Sequence, residues 1–140
     1  MHRLAILALS FFTLAAGFVT PAAADFRLEE YFAGRTYADG RFSAITGLRR
    51  DFKVVLNGRW NGRTLTLVED FVYADGERDR KTWRFTKTGP NTYKGTREDV
   101  VGETLVTVTG DTARFTYLVY LDPENRKNLV RFHDKMTLRE

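Results

Sequence analysis

The chain has 140 residues, with 22 Lys+Arg against 18 Asp+Glu for a formal net charge of +4, 43% hydrophobic and 14% aromatic residues, and no cysteine. That length suits one domain with a single core, and the missing thiols exclude disulfides and thiolate catalysis together. The basic clusters Arg49-Arg50, Arg78-Asp79-Arg80-Lys81 and Arg126-Lys127 sit among acidic residues at strand edges and turns, which argues against nucleic acid and for a solvated surface, with contact to anionic lipid headgroups left open.

Met1-His2-Arg3 is a short basic start. Leu4 to Val19 is an apolar run broken only by small or hydroxyl residues, and Ala22-x-Ala24 is the pattern signal peptidase reads. The run is short for a membrane anchor crossing roughly 30 Å of hydrocarbon, and no basic stop-transfer flank follows it. Residues 1–24 therefore read as a cleaved signal peptide and residues 25–140 as one domain. No cysteine stands at the junction to carry a lipid, so the expected location is the periplasm or the medium.

Asp25 to Phe32 reads as a short helical turn, with Leu28, Tyr31 and Phe32 on one face and Asp25 as its cap. Tyr37-Ala38-Asp39-Gly40 reads as a turn. Strands are then expected at Arg41–Thr46, Asp51–Trp60, Arg63–Tyr73, Arg80–Lys87, Thr92–Glu98, Glu103–Thr109, Thr112–Leu121 and Asn128–Leu138. Asn61-Gly62 suits a type I′ hairpin, and Asp75-Gly76, Gly89-Pro90, Gly110-Asp111 and Asp122-Pro123 mark further turns. About eight short, alternating strands with tight turns predict an all-β antiparallel meander. It should curl into a barrel or half-barrel, with helix confined to the N-terminal segment.

Two strands carry charge on their apolar side. Leu65, Leu67, Glu69, Phe71 and Tyr73 share one parity, while Asp70 points the other way. Val130, Phe132, Asp134, Met136 and Leu138 share another, and Arg97 is on the face of Tyr93 and Gly95. A buried carboxylate needs a partner. Three accounts stand: an internal ion pair with Arg97 or Arg84, a polar anchor inside a ligand cavity, or a bulge that turns these side chains to water.

Tyr31-Phe32-Ala33-Gly34, Gly58-x-Trp60-x-Gly62, Glu69-Asp70-Phe71-x-Tyr73-x-Asp75-Gly76, Trp83, Lys87-Thr88-Gly89-Pro90, Tyr93-x-Gly95-Thr96 and Asp99-Val100-Val101-Gly102 stand in order. Together they resemble an uncharacterised family of bacterial envelope proteins, domain of unknown function 3833. The resemblance covers roughly residues 31–138 and implies an exported or lipid-anchored, lipocalin-like (calycin) β-barrel with no established activity. Many relatives carry a lipobox cysteine that this chain lacks. The family also continues past the last strand, so a free edge, and a homodimer through it, is implied here.

Downstream of residue 24 the chain has one serine, Ser43, and one histidine, His133, which lies opposite Asp134 in parity. A Ser-His-Asp site, a metal site and a phosphate loop at Gly58–Arg63 are therefore not expected, nor is an enzyme or a cofactor. The expected role is binding of a small apolar or amphipathic, lipid-like molecule inside the barrel, with peripheral contact to the membrane. Its expected wall is Trp60, Glu69, Phe71, Trp83, Phe85, Arg97, Phe115, Tyr117, Phe132 and Asp134. The alternative is a structural or interaction module of the envelope with a filled core and no ligand.

Overall fold

The computed structural model describes residues 7–15, 26–122 and 124–139, with backbone alone for 7–15 and 139. Its elements are β1 (Leu7–Ala15), α1 (Leu28–Tyr31), β2 (Gly34–Ala44), β3 (Arg49–Trp60), β4 (Thr64–Tyr73), β5 (Arg78–Gly89), β6 (Thr92–Arg97), β7 (Thr104–Thr109), β8 (Thr112–Asp122) and β9 (Asn125–Arg139). From β2 to β9 each strand pairs antiparallel with the next, forming the eight-stranded curled sheet expected from the alternation.

The two ends of that sheet meet across β1. It runs antiparallel to β2, with Ala8 opposite Ala44, and parallel to β9, with Leu7 opposite Arg131, and so closes the barrel. The mixed pairing is forced by topology. In a meander β2 and β9 point in opposite directions, so one strand between them must oppose one neighbour and follow the other. β1 falls inside the segment read as a signal peptide, whose cleavage pattern at Ala22–Ala24 lies outside the described residues. The edge of β9 on which a homodimer was expected to form is occupied by β1 here.

Alternation decides what is inside. β7 buries every second residue without exception, and β4 buries Leu65, Leu67, Glu69 and Phe71. The interior is a continuous apolar cluster from Phe42, Phe52 and Leu56 round to Phe115, Val130 and Met136. Burying each large side chain of this set contributes on the order of 2 kcal/mol, which is how a chain without disulfides holds its shape.

One end of the barrel is plugged. Phe26, Leu28 and Phe32 are buried around α1, and the Phe26 N–H donates to the Gly110 carbonyl at 2.8 Å. The Glu29 carboxylate takes the Tyr93 hydroxyl and the Lys87 ammonium, while the Leu28 N–H donates to the Tyr93 oxygen at 3.2 Å. Burial works to raise the Glu29 carboxyl, but those two donors outweigh it and hold the group below its ordinary range. Gly58 is the seat for this plug: a Cβ there would lie 1.9 Å from the Phe32 carbonyl oxygen. Three turns among the described residues stand at the opposite end: 45–48, 74–77 and 98–103.

The sequence reading needs two corrections. Tyr37–Gly40 is no turn but the middle of β2, paired with β3 on one side and β1 on the other. Strand pairing on both flanks overrides the local preference of Asp-Gly. The β3–β4 reversal is shifted by one residue. Asn61 N–H donates to Thr64 O at 3.2 Å, so the two-residue connection is Gly62-Arg63, with Gly62 at φ +95° in its first position. Asn61 contributes through its side chain, whose Oδ1 accepts from Arg63 N–H and Thr64 N–H. The expected cap, Asp25, lies outside the described residues.

Candidate functional site

Above the plugged end, strand parity gathers charge on the inner wall. Glu69 of β4 is 1% exposed and Asp134 of β9 is 5% exposed. The Arg97 side chain, at the end of β6, is 9% exposed. Both carboxyls expected to point inward do so, and the bulge that would have turned them to solvent is ruled out by unbroken pairing at Leu56–Glu69–Lys81 and Phe115–Asp134. Asp70 faces outward, where Arg80 meets it at 2.6 Å.

The expected ion pair between these groups is not what forms. Arg97 Nε reaches Asp99 Oδ1 at 2.6 Å and its NH2 nitrogen reaches Asp99 Oδ2 at 3.1 Å. Asp99 also receives Lys81 at 3.0 Å, and Lys81 is 3.5 Å from Asp79. Arg84, the other expected partner, is exposed on the outer face. The Arg97 guanidinium lies 4.9 Å from the Trp83 ring centre and 5.2 Å from that of Tyr117, a cation beside two aromatic rings that meet each other edge-on. Burial alone would disfavour its charge, but the Tyr117 and Asp99 oxygens raise its pKa above the ordinary value. Asp134 Oδ2 accepts the Tyr117 hydroxyl at 2.7 Å.

Glu69 is different. Its Oε1 is buried and has no hydrogen-bond partner among the described residues. Burial pushes its carboxyl up to about 8; Arg97 pulls it down, and Asp134, Glu98 and Asp99 push it further up. At neutral pH it is therefore mainly protonated, both a donor and an acceptor, inside the barrel.

The rest of the expected wall divides in two. Trp83 stacks on Phe85 at 5.1 Å and meets Phe115 and Tyr117 edge-on at 5.4 and 5.1 Å, across the lumen from β5 to β8. Tyr117 stacks on Phe132, which touches Phe42. These rings are packed against one another, not arranged round an opening. Trp60 is half-buried near the plugged end, and Phe71 packs on Phe52 and Tyr73. Toward the end opposite the plug, sequence reading missed a further polar group. Arg50 lies over Tyr73 at 3.9 Å and binds Glu77 at 2.6 Å, with Lys81, Asp79 and Asp99 beside them. The signal was present: Asp79 and Lys81 share the parity of Trp83 and Phe85, and Arg50 that of Phe52 and Val54.

His133 lies on the outer side, its Nδ1 3.0 Å from the Thr116 hydroxyl, and Ser43 is in β2, opposite Arg49. A groove of about 380 Å³ beside the 45–48 and 74–77 turns is lined by Arg41, Arg49, Arg50, Asp51, Ala74 and Asp75. Two of its three arginines, Arg41 and Arg50, are held by Asp51, Asp75 and Glu77.

The sequence model of a family described as Protein of unknown function (DUF3833) matches residues 10–140, from within β1 to the end of the chain. No curated protein and no solved structure matches the chain significantly.

Proposed function

We propose that this chain, which belongs to the DUF3833 family, is an exported envelope protein that binds a small amphipathic, lipid-like molecule in the upper half of its barrel. The observation that carries this is Glu69 Oε1, a buried carboxyl oxygen on the inner wall with no partner among the described residues. A purely structural polar group of this kind is nearly always satisfied, and leaving one open costs about 1–3 kcal/mol. A molecule that comes and goes explains why the cost is kept. Arg97, Asp134 and Tyr117 complete the polar side, and Phe42, Phe71 and Phe132 offer the apolar side.

Export rests on the leader pattern of residues 1–24. Removing that segment takes β1 with it and leaves β2 and β9 as facing edges, beside Phe42, Phe132 and Asp134. That seam is the lateral way in for an apolar chain. N-terminal sequencing of the periplasmic protein should find Asp25 first; an intact Met1 defeats this part.

The ring contacts between Trp83, Phe115 and Tyr117 favour a second reading, a filled envelope module without a ligand. Titration with the fluorescent probe N-phenyl-1-naphthylamine separates the two. Saturable binding that is lost in Glu69→Leu, with the fold retained by circular dichroism, supports the ligand site. No binding to the wild-type protein leaves the filled module.

A further inference from the structure

We infer, resting on the ligand reading above, that the inner site takes a neutral or cationic hydrogen-bonding head, a hydroxyl, amide or ammonium on an apolar chain, and turns away carboxylate and phosphate heads. The reason is the distribution of partners. Among the described residues, Arg50, Lys81 and Arg97 are the cations facing this half of the barrel, and each is already in an ion pair: Arg50 with Glu77, Lys81 with Asp79 and Asp99, Arg97 with Asp99. An incoming anion has to break one of these pairs and leave a carboxylate uncompensated in a low-dielectric wall.

Carboxyl groups outnumber those cations. Glu69, Glu77, Asp79, Asp99 and Asp134 all face this space or its rim. Among the groups left open is a carboxyl: Glu69 Oε1 is buried and unpartnered among the described residues. When protonated, Glu69 offers a donor and an acceptor, which suits a hydroxyl or an amide. When ionised it suits an ammonium. In neither state does it supply the cation that a carboxylate head requires, and Asp134 stands near enough to add to its electrostatic burden. Asp99 is the residue that enforces the exclusion, since it holds both Arg97 and Lys81.

The test uses the mature protein purified from the periplasm, loaded with N-phenyl-1-naphthylamine at pH 7, displaced by compounds with one tail and three heads: dodecan-1-ol, dodecylamine and dodecanoate, each below its micelle concentration. The alcohol and the amine should displace the probe at concentrations at least tenfold lower than dodecanoate. Displacement by dodecanoate that is equal or better overturns the inference while leaving the binding site standing, as does probe binding that neither the alcohol nor the amine disturbs. Failure of the probe to bind at all removes the site and the inference with it. Asp99→Asn, which frees Arg97 and leaves Lys81 with Asp79 alone, should narrow the gap in favour of dodecanoate; an unchanged gap in a folded Asp99→Asn protein counts against Asp99 as its cause.

Discussion

Replacing Glu69 by glutamine should leave the protein about as stable as wild type in mild acid and make it more stable in alkali. The carboxyl is 1% exposed, and burial raises it from 4.5 in the unfolded chain to about 8 in the folded one. Between those values the folded state keeps a proton that the unfolded state has released. The unfolded state therefore binds fewer protons, and stability falls as pH rises through the window. Each pKa unit is worth about 1.4 kcal/mol, so the full shift costs wild type roughly 5 kcal/mol by pH 9, and Glu69→Gln, which does not titrate, escapes most of it. Below pH 4.5 the side chain is neutral in both states and the difference should vanish to within about 1 kcal/mol. Urea melts of the two proteins at pH 5, 7 and 9 measure this. A stability difference that stays flat across that range refutes the reasoning, because it would mean Glu69 is ionised when folded, with a cation satisfying it. One of the three accounts the sequence left standing had Glu69 or Asp134 holding a buried arginine. Arg97 instead takes Asp99.

That geometry shifts the expected penalty. Asp99→Ala should cost about 3–5 kcal/mol, because it strands the buried Arg97 guanidinium beside Trp83 and Tyr117, whereas Asp70→Ala removes only a surface pair with Arg80 and should fall within about 0.5 kcal/mol of wild type. Denaturant melts compare the two, and equal costs would undo the assignment of inner and outer faces in this region. Gly58→Ala should lower thermal stability by more than the roughly 1 kcal/mol of an ordinary substitution, since its Cβ would sit 1.9 Å from the Phe32 carbonyl oxygen and push the α1 plug away. Amide exchange at Leu28–Phe32 should accelerate in that variant, and unchanged protection there would show that the plug can shift without loss.

The alternation of β4 and β9 was enough to place Glu69 and Asp134 inside and Asp70 outside, because a strand's period of two is a local property of the backbone. The turn residues were legible for the same reason: Gly76 and Gly110 adopt positive φ where the chain reverses, and that freedom belongs to glycine alone. The partner of Arg97 was not legible in this way. Parity says that a side chain points inward, but not which inward group it reaches, and the nearest carboxylate was Asp99, two residues along the chain and beyond the strand's end. The contacts of Trp83 with Phe115 and Tyr117 join strands three places apart, a distance fixed by how tightly the sheet curls. Closure by β1 also lies beyond local pattern: the sequence reading took Leu7–Ala15 as part of a leader, and only the two edges left by an eight-stranded meander give it a place between β2 and β9. Local pattern sets the face each residue takes; curvature and closure, which depend on every strand at once, set what it meets there.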